Sequence, residues 1–581
     1  MKKNYKKIGW IWKGISILTA MSMIGGCGAG GGASSGAAGT TAAAASEAAM
    51  EAGSYYEGTV QETMAENWEG EAKDAPAAEE AWDDSADGAM TNEMKSEAAV
   101  SAARENGGMA GKYQKAYGAE DGNTEEYSYI EENGYRNVAD SPLSTFSVDV
   151  DTASYGNVRR MIRSGSSIPA DAVRIEELIN YFDYDYPEPG GDEPFSVTTE
   201  YSDCPWNEEH RLLMIGLQAK EIDFENRPAS NLVFLLDVSG SMYSDDKLPL
   251  VQKAFIMLAE NLDKKDRVSI VTYAGYESVV LDGVPGNQTA KIAAALEDLE
   301  AGGSTAGAAG IQKAYELAEK NFIPGGNNRV ILATDGDLNV GISSESGLTR
   351  LIQEKKKSGV HLSVLGVGTG NIKDNKMEAL ADNGDGNYSY LDSLYEAKKV
   401  LVDEMGGTLI TVAKDVKIQV EFNPEYVAGY RLVGYENRVL RNEDFSNDKV
   451  DAGEIGSGHT VTALYEIIPG GAGGQNLKYQ KEAKPVGSTE LLTVSLRYKA
   501  PNGDKSRLIE YPVESESYRQ DMSENMMFAS AVAEFGMVLR DSENKGSATL
   551  ESVMELAEPC VHGDSDDYRK EFLELVELAK Q

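Results

Sequence analysis

Asp237, Ser239 and Ser241 occupy alternate positions at the end of an apolar run, in NLVFLLDVSGSM at residues 231–242. One carboxylate and two hydroxyls are hard oxygen ligands. They suit Mg²⁺ or another hard divalent cation, and do not suit copper or structural zinc. The alternation matters because residues two apart turn toward the same point as a strand opens into a loop. Similar atoms occur in two further pieces. Gly302-Gly303-Ser304-Thr305-Ala306-Gly307 is a glycine-rich turn opening a helical pattern, and its Thr305 presents a hydroxyl. Thr334-Asp335-Gly336 closes a second apolar run, NRVILATDG.

These pieces meet only if the runs before them are strands of one parallel sheet. From 231 to about 405 the chain alternates strand and helix patterns, as a parallel α/β unit does. NLVFLLDVS, RVSIVTYA, NRVILATDG, VHLSVLGVG and NYSYLD read as strands. KLPLVQKAFIMLAENL, TAKIAAALEDLE, GIQKAYELAEKNF, LTRLIQEKKKS and NKMEALADNG read as helices, and SVVLDGV as a short edge strand. Runs this apolar are expected where a strand is covered on both faces. Functional groups of such sheets collect beyond the carboxyl ends of the strands.

With the pieces in this order, residues 231–407 resemble a von Willebrand factor type A domain, and the five residues resemble its metal-ion-dependent adhesion site. The resemblance implies a Rossmann-like α/β fold, a central mostly parallel sheet with helices on both faces. It implies that Ser239, Ser241 and Thr305 coordinate Mg²⁺ (or Mn²⁺ or Ca²⁺) through their hydroxyls. Asp237 and Asp335 would add charge directly or through water. Few, mostly neutral ligands leave a coordination position for a partner protein's Asp or Glu, which is binding and not catalysis. The flanks, FSVDVDTASY before the unit and MMFASAVAEFGMVLR with YRKEFLELVELA after it, are similar to a bacterial lipoprotein type, the YfbK-like one.

The rest of the chain supplies context. A length of 581 residues implies several domains, and a net charge of -41 argues against nucleic acid as a partner. MKKNYKK and the apolar stretch after it read as a signal peptide over 1–26. Ile24-Gly25-Gly26-Cys27 resembles a bacterial lipobox, which implies a lipid on Cys27 and a place on the outer face of the cell membrane. Residues 27–123, rich in Gly, Ala, Ser and acids, read as a disordered tether. An α+β flank is expected over 124–230. The period-two pattern of Val416, Ile418, Val420 and Phe422 places a β-sandwich at 408–518. A helical region follows at 519–581. Strands on both sides of the α/β unit suggest that it is inserted into one sandwich. Cys204 and Cys560 are too few for a disulfide framework. The four histidines are scattered and no HExxH occurs, so catalytic zinc is not expected. Asp149 and Asp151 alternate on a strand; the pair could bind Ca²⁺, but alternating acids on one strand face are more often just exposed, and that is expected here. The competing readings are a metal-assisted hydrolase, for which no general base can be named, and an envelope-assembly protein whose metal only stabilises the fold.

Overall fold

Continuous apolar runs build one sheet of this chain, and period-two runs build two others. The computed structural model describes residues 124–222, 227–304, 307–336, 345–470, 487–501, 503–562 and 567–581. Residues 1–123, where the sequence reads as a signal segment and a tether bearing Cys27, and Thr305 lie outside the described residues.

Ahead of the α/β unit come β1 (Arg136–Asn137), β2 (Leu143–Ser147), β3 (Phe195–Asp203) and β4 (Arg211–Ala219). Helices α1 (Ala153–Ser164) and α2 (Ile175–Asn180) lie between β2 and β3. The unit itself holds β5 (Ser230–Asp237), β6 (Arg267–Tyr273), β7 (Glu277–Pro285), β8 (Asn327–Thr334), β9 (His361–Val367) and β10 (Tyr388–Leu391). Their order is β10-β9-β8-β5-β6-β7, with every pair parallel except edge strand β7 against β6. Every residue of β5 is buried, because both of its faces are covered. Leu232, Phe234 and Leu236 pack with α3 (Leu248–Glu260) and α4 (Thr289–Glu297). Val233 and Leu235 pack on the opposite face with α5 (Gly307–Lys320). Helices α6 (Glu345–Lys355) and α7 (Asp374–Asn383) extend that second layer, through Leu348, Ile352, Met377 and Leu380. The first layer is closed by α8 (Leu394–Lys398), a π-helical turn at Lys399–Asp403 and α9 (Met405–Leu409).

Beyond the unit come β11 (Thr411–Phe422), β12 (Val427–Val433), β13 (Gly453–Gly456), β14 (Thr460–Pro469), β15 (Glu490–Lys499) and β16 (Ser506–Glu514). The chain ends in α10 (Glu524–Leu539), α11 (Leu550–Ala557) and α12 (Asp567–Ala579). One sheet runs β1-β12-β14-β4-β3, and the other β13-β11-β15-β16 with β2 also on β11. Strands from before and after the α/β unit therefore share both sheets. The β4 strand shows the packing: Leu213, Ile215 and Leu217 face the sandwich core, while Leu212 and Met214 lie under the helical layer. Phe572 and Leu575 of α12 belong to that helical layer. Ser523 caps α10 by accepting from the Met526 N–H at 3.2 Å.

Asp149 and Asp151 are not exposed; each is only 3% accessible. Arg438 covers both, donating from Nε to Asp149 Oδ2 at 2.9 Å and from Nη2 to Asp151 Oδ2 at 3.0 Å. Its Nη1 donates to Asp382 of α7 at 2.7 Å, so the same guanidinium joins the flanks to the α/β unit. Two more buried arginines do likewise. Arg174 reaches Asp374 Oδ2 at 2.6 Å. Arg159 reaches Asp392 Oδ1 at 2.6 Å and Glu396 Oε2 at 2.7 Å. Cys204 and Cys560 are both buried thiols, the latter donating to Leu556 O at 3.3 Å. Among the described residues no helix is long and apolar enough to cross a membrane.

Candidate metal centre

Asp237 is the last residue of β5 and is fully buried. A buried carboxylate needs partners. Its Oδ1 accepts the Ser239 N–H at 2.9 Å. Its Oδ2 accepts the Thr334 hydroxyl at 3.1 Å and the Tyr273 hydroxyl at 3.3 Å. Tyr273 and Thr334 end β6 and β8, the two strands flanking β5, so three strand ends meet on one carboxylate. Burial pushes the Asp237 carboxyl up to about 6, the Asp335 charge adds to this, and the bonds from Ser239 and Thr334 pull the other way.

The loop after β5 carries the hydroxyls. Ser239 is 2% accessible, Ser241 is exposed, and their Oγ atoms lie 3.0 Å apart. The glycine-rich turn is laced to this loop by two backbone bonds. Gly302 N–H donates to Val238 O at 2.8 Å, and Gly240 N–H donates to Gly303 O at 3.1 Å. Gly303 has φ +84, a left-handed conformation that favours glycine. Thr305 itself is outside the described residues. Asp335, just beyond β8, is 1% accessible, and its Oδ2 lies 2.9 Å from Lys247 Nζ. Gly336 has φ +97, and a Cβ there would meet Lys373 N at 2.6 Å.

This donor set fits a small hard cation. Two neighbouring ligands of an octahedral Mg²⁺, each about 2.1 Å from the ion, stand about 3.0 Å apart. The Ser239 and Ser241 hydroxyls, hydrogen-bonded to each other at 3.0 Å, have a separation compatible with that. Among the described residues no three His, Cys, Asp or Glu side chains are placed to hold a metal by themselves. His210, His361 and His562 serve elsewhere, beside Glu466, Asp385 O and Glu524.

Comparison with known proteins adds the family. The chain is 45% identical, over 468 residues, to "Uncharacterized protein YfbK" of Escherichia coli strain K12, covering 78% of this chain and 81% of that one. The chain belongs to the YfbK family. Residues 407–581 match the family model described as YfbK, C-terminal. Residues 231–403 match the von Willebrand factor type A domain, and 121–214 match a model described as von Willebrand factor. The α/β unit of this YfbK-family chain is therefore a von Willebrand factor type A domain. "Uncharacterized protein sll0103" of a Synechocystis strain is 31% identical over 190 residues, 32% of this chain and 43% of that relative. Two solved structures are more distant. They are "von Willebrand factor type A from Catenulispora acidiphila" (16% identity, TM-score 0.39, 67% of this chain and 91% of that one) and the ArnB paralog VWA2 from Sulfolobus acidocaldarius (15%, 0.34, 67% and 98%). Likeness that loose decides nothing further.

Sequence reasoning named Thr334 only as part of its motif, with Tyr273 and Lys247 missed altogether. The first two had a usable signal, since each is the final residue of a strand in the parallel sheet. Lys247 had none beyond its place just ahead of an apolar helix.

Proposed function

We propose that this protein is an extracytoplasmic binding protein, tethered to the membrane by lipid on Cys27, that captures an acidic group of a partner protein through a divalent cation. Ser239, Ser241 and Thr305 would hold the ion with their hydroxyls, with Asp237 and Asp335 supplying charge. When bound, the ion offers a hard, electron-poor centre to a carboxylate oxygen. The observation that carries this reading is the pair of serine hydroxyls 3.0 Å apart, one buried and one exposed, above a buried carboxylate. The exposure of Ser241 supports a site that another protein could reach. We take the protein not to be an enzyme.

The test is capture of partners from envelope extracts by the full-length protein, with Mg²⁺ or with EDTA. Capture should require Mg²⁺ and vanish in Asp237→Asn, with the far-ultraviolet circular dichroism unchanged. Capture that is indifferent to EDTA sinks the reading. In the same extracts, Cys27→Ser should move the protein from the membrane fraction to the soluble one.

A further inference from the structure

The carboxylate of Asp335 already faces a cation that belongs to the chain. Lys247 is 8% accessible and Asp335 1%, and the ammonium lies 2.9 Å from Oδ2. The lysine is housed along its length. Its stem lies across Gly368, where a Cβ would stand 2.2 Å from Lys247 Cε and 2.5 Å from Cγ. Gly368 has φ +78, and its carbonyl is held by the Tyr390 hydroxyl at 2.6 Å. The Lys247 backbone is fixed on both sides, its N–H donating to Ser244 O at 3.0 Å and its carbonyl accepting from Val251 N at 2.9 Å. A long side chain held in a groove that only glycine leaves open is a built part of the edge.

We propose that Lys247 is a resident counter-ion of the metal edge, which neutralises Asp335 and thereby weakens the hold of the site on a divalent cation. This rests on reading the edge as a cation site. Two positive charges drawn to one buried carboxylate repel each other where screening is poor. With Asp335 neutralised, the ion keeps one uncompensated carboxylate, Asp237. It then stays more electron-poor toward an incoming acid and exchanges more freely. The plainer alternative is an ion pair that only keeps a buried carboxylate satisfied.

Isothermal titration of the full chain with Mg²⁺ separates these. Lys247→Gln keeps an amide donor for Asp335 and removes the charge. It should bind Mg²⁺ at least about tenfold more tightly than wild type, as the loss of a unit charge a few ångströms away requires. The rise in melting temperature on adding Mg²⁺ should be larger in the variant. Lys247→Arg, which retains the charge, should not tighten binding. Should Lys247→Gln fail to fold, Gly368→Ala pushes the lysine stem from its groove and should tighten Mg²⁺ binding too. Equal or weaker affinity in the neutral variant, with wild type binding normally, overturns the proposal and leaves the metal site standing. No Mg²⁺ binding by wild type or variant overturns the metal site, and this proposal with it.

Discussion

Gly310 shows how closely the edge is supported. A Cβ at this position of α5 would stand 2.8 Å from Tyr273 Cβ and 2.9 Å from its ring, and the Tyr273 hydroxyl bonds Asp237. In an exposed helix, glycine to alanine gains about 1 kcal/mol. Here the contact reverses the sign: Gly310→Ala should cost about 1–3 kcal/mol of stability through overpacking. Urea unfolding checks it, and an upward shift of the midpoint refutes the steric argument. At this scale the positions of Asp237 and Asp335 at strand ends were legible, because an apolar run that stops at a carboxylate is a local pattern. The buried arginine contacts were not. Asp149 and Asp151 looked exposed because the residue that covers them, Arg438, comes 289 and 287 positions later. No local pattern encodes such a partner.

The helices α10 and α11 meet through a polar contact in an otherwise apolar layer. Glu534, 1% accessible, accepts the Ser552 hydroxyl at 2.6 Å. Burial pushes the Glu534 carboxyl up to about 7, against the pull of the Ser552 bond. A carboxyl whose pKa is raised by folding favours the folded state while it is protonated. That contribution is complete below the unfolded value of about 4.3 and is lost as pH climbs through about 7. Glu534→Gln should therefore be the more stable protein at pH 8, by up to about 3 kcal/mol, and the difference should close toward pH 4. Thermal melts of both proteins at the two pH values decide it, and a gap independent of pH refutes it. The elements themselves were largely legible. Apolar runs marked β5, β8 and β9, and period two marked β11. Which strands pair was less so, since β1, β2 and β4 find partners in β12, β11 and β14 far along the chain.

Across the whole molecule, buried guanidinium groups fasten the von Willebrand factor type A domain to its flanks. Arg159 of α1 binds Asp392 and Glu396 of the domain and Glu571 of α12 at 3.1 Å. Glu396 is fully buried, and removing one partner of a buried ion pair leaves an uncompensated charge. Arg159→Met should cost about 3–5 kcal/mol, seen as a lower urea midpoint. An unchanged midpoint would mean that this contact contributes nothing to holding the parts together.

The shared sheets also set a timetable. Leu213 of β4 pairs with Tyr465 of β14, and the entire inserted domain is synthesised between them. A ribosome adding about 5–20 residues per second takes roughly 10–50 s to cover that interval. Until β14 emerges, β4 has one open edge and apolar side chains on both faces. Its exposure to other chains is thus governed by how fast the chain is delivered, by synthesis or by export, and by whatever holds it meanwhile, and not by the stability of the finished fold.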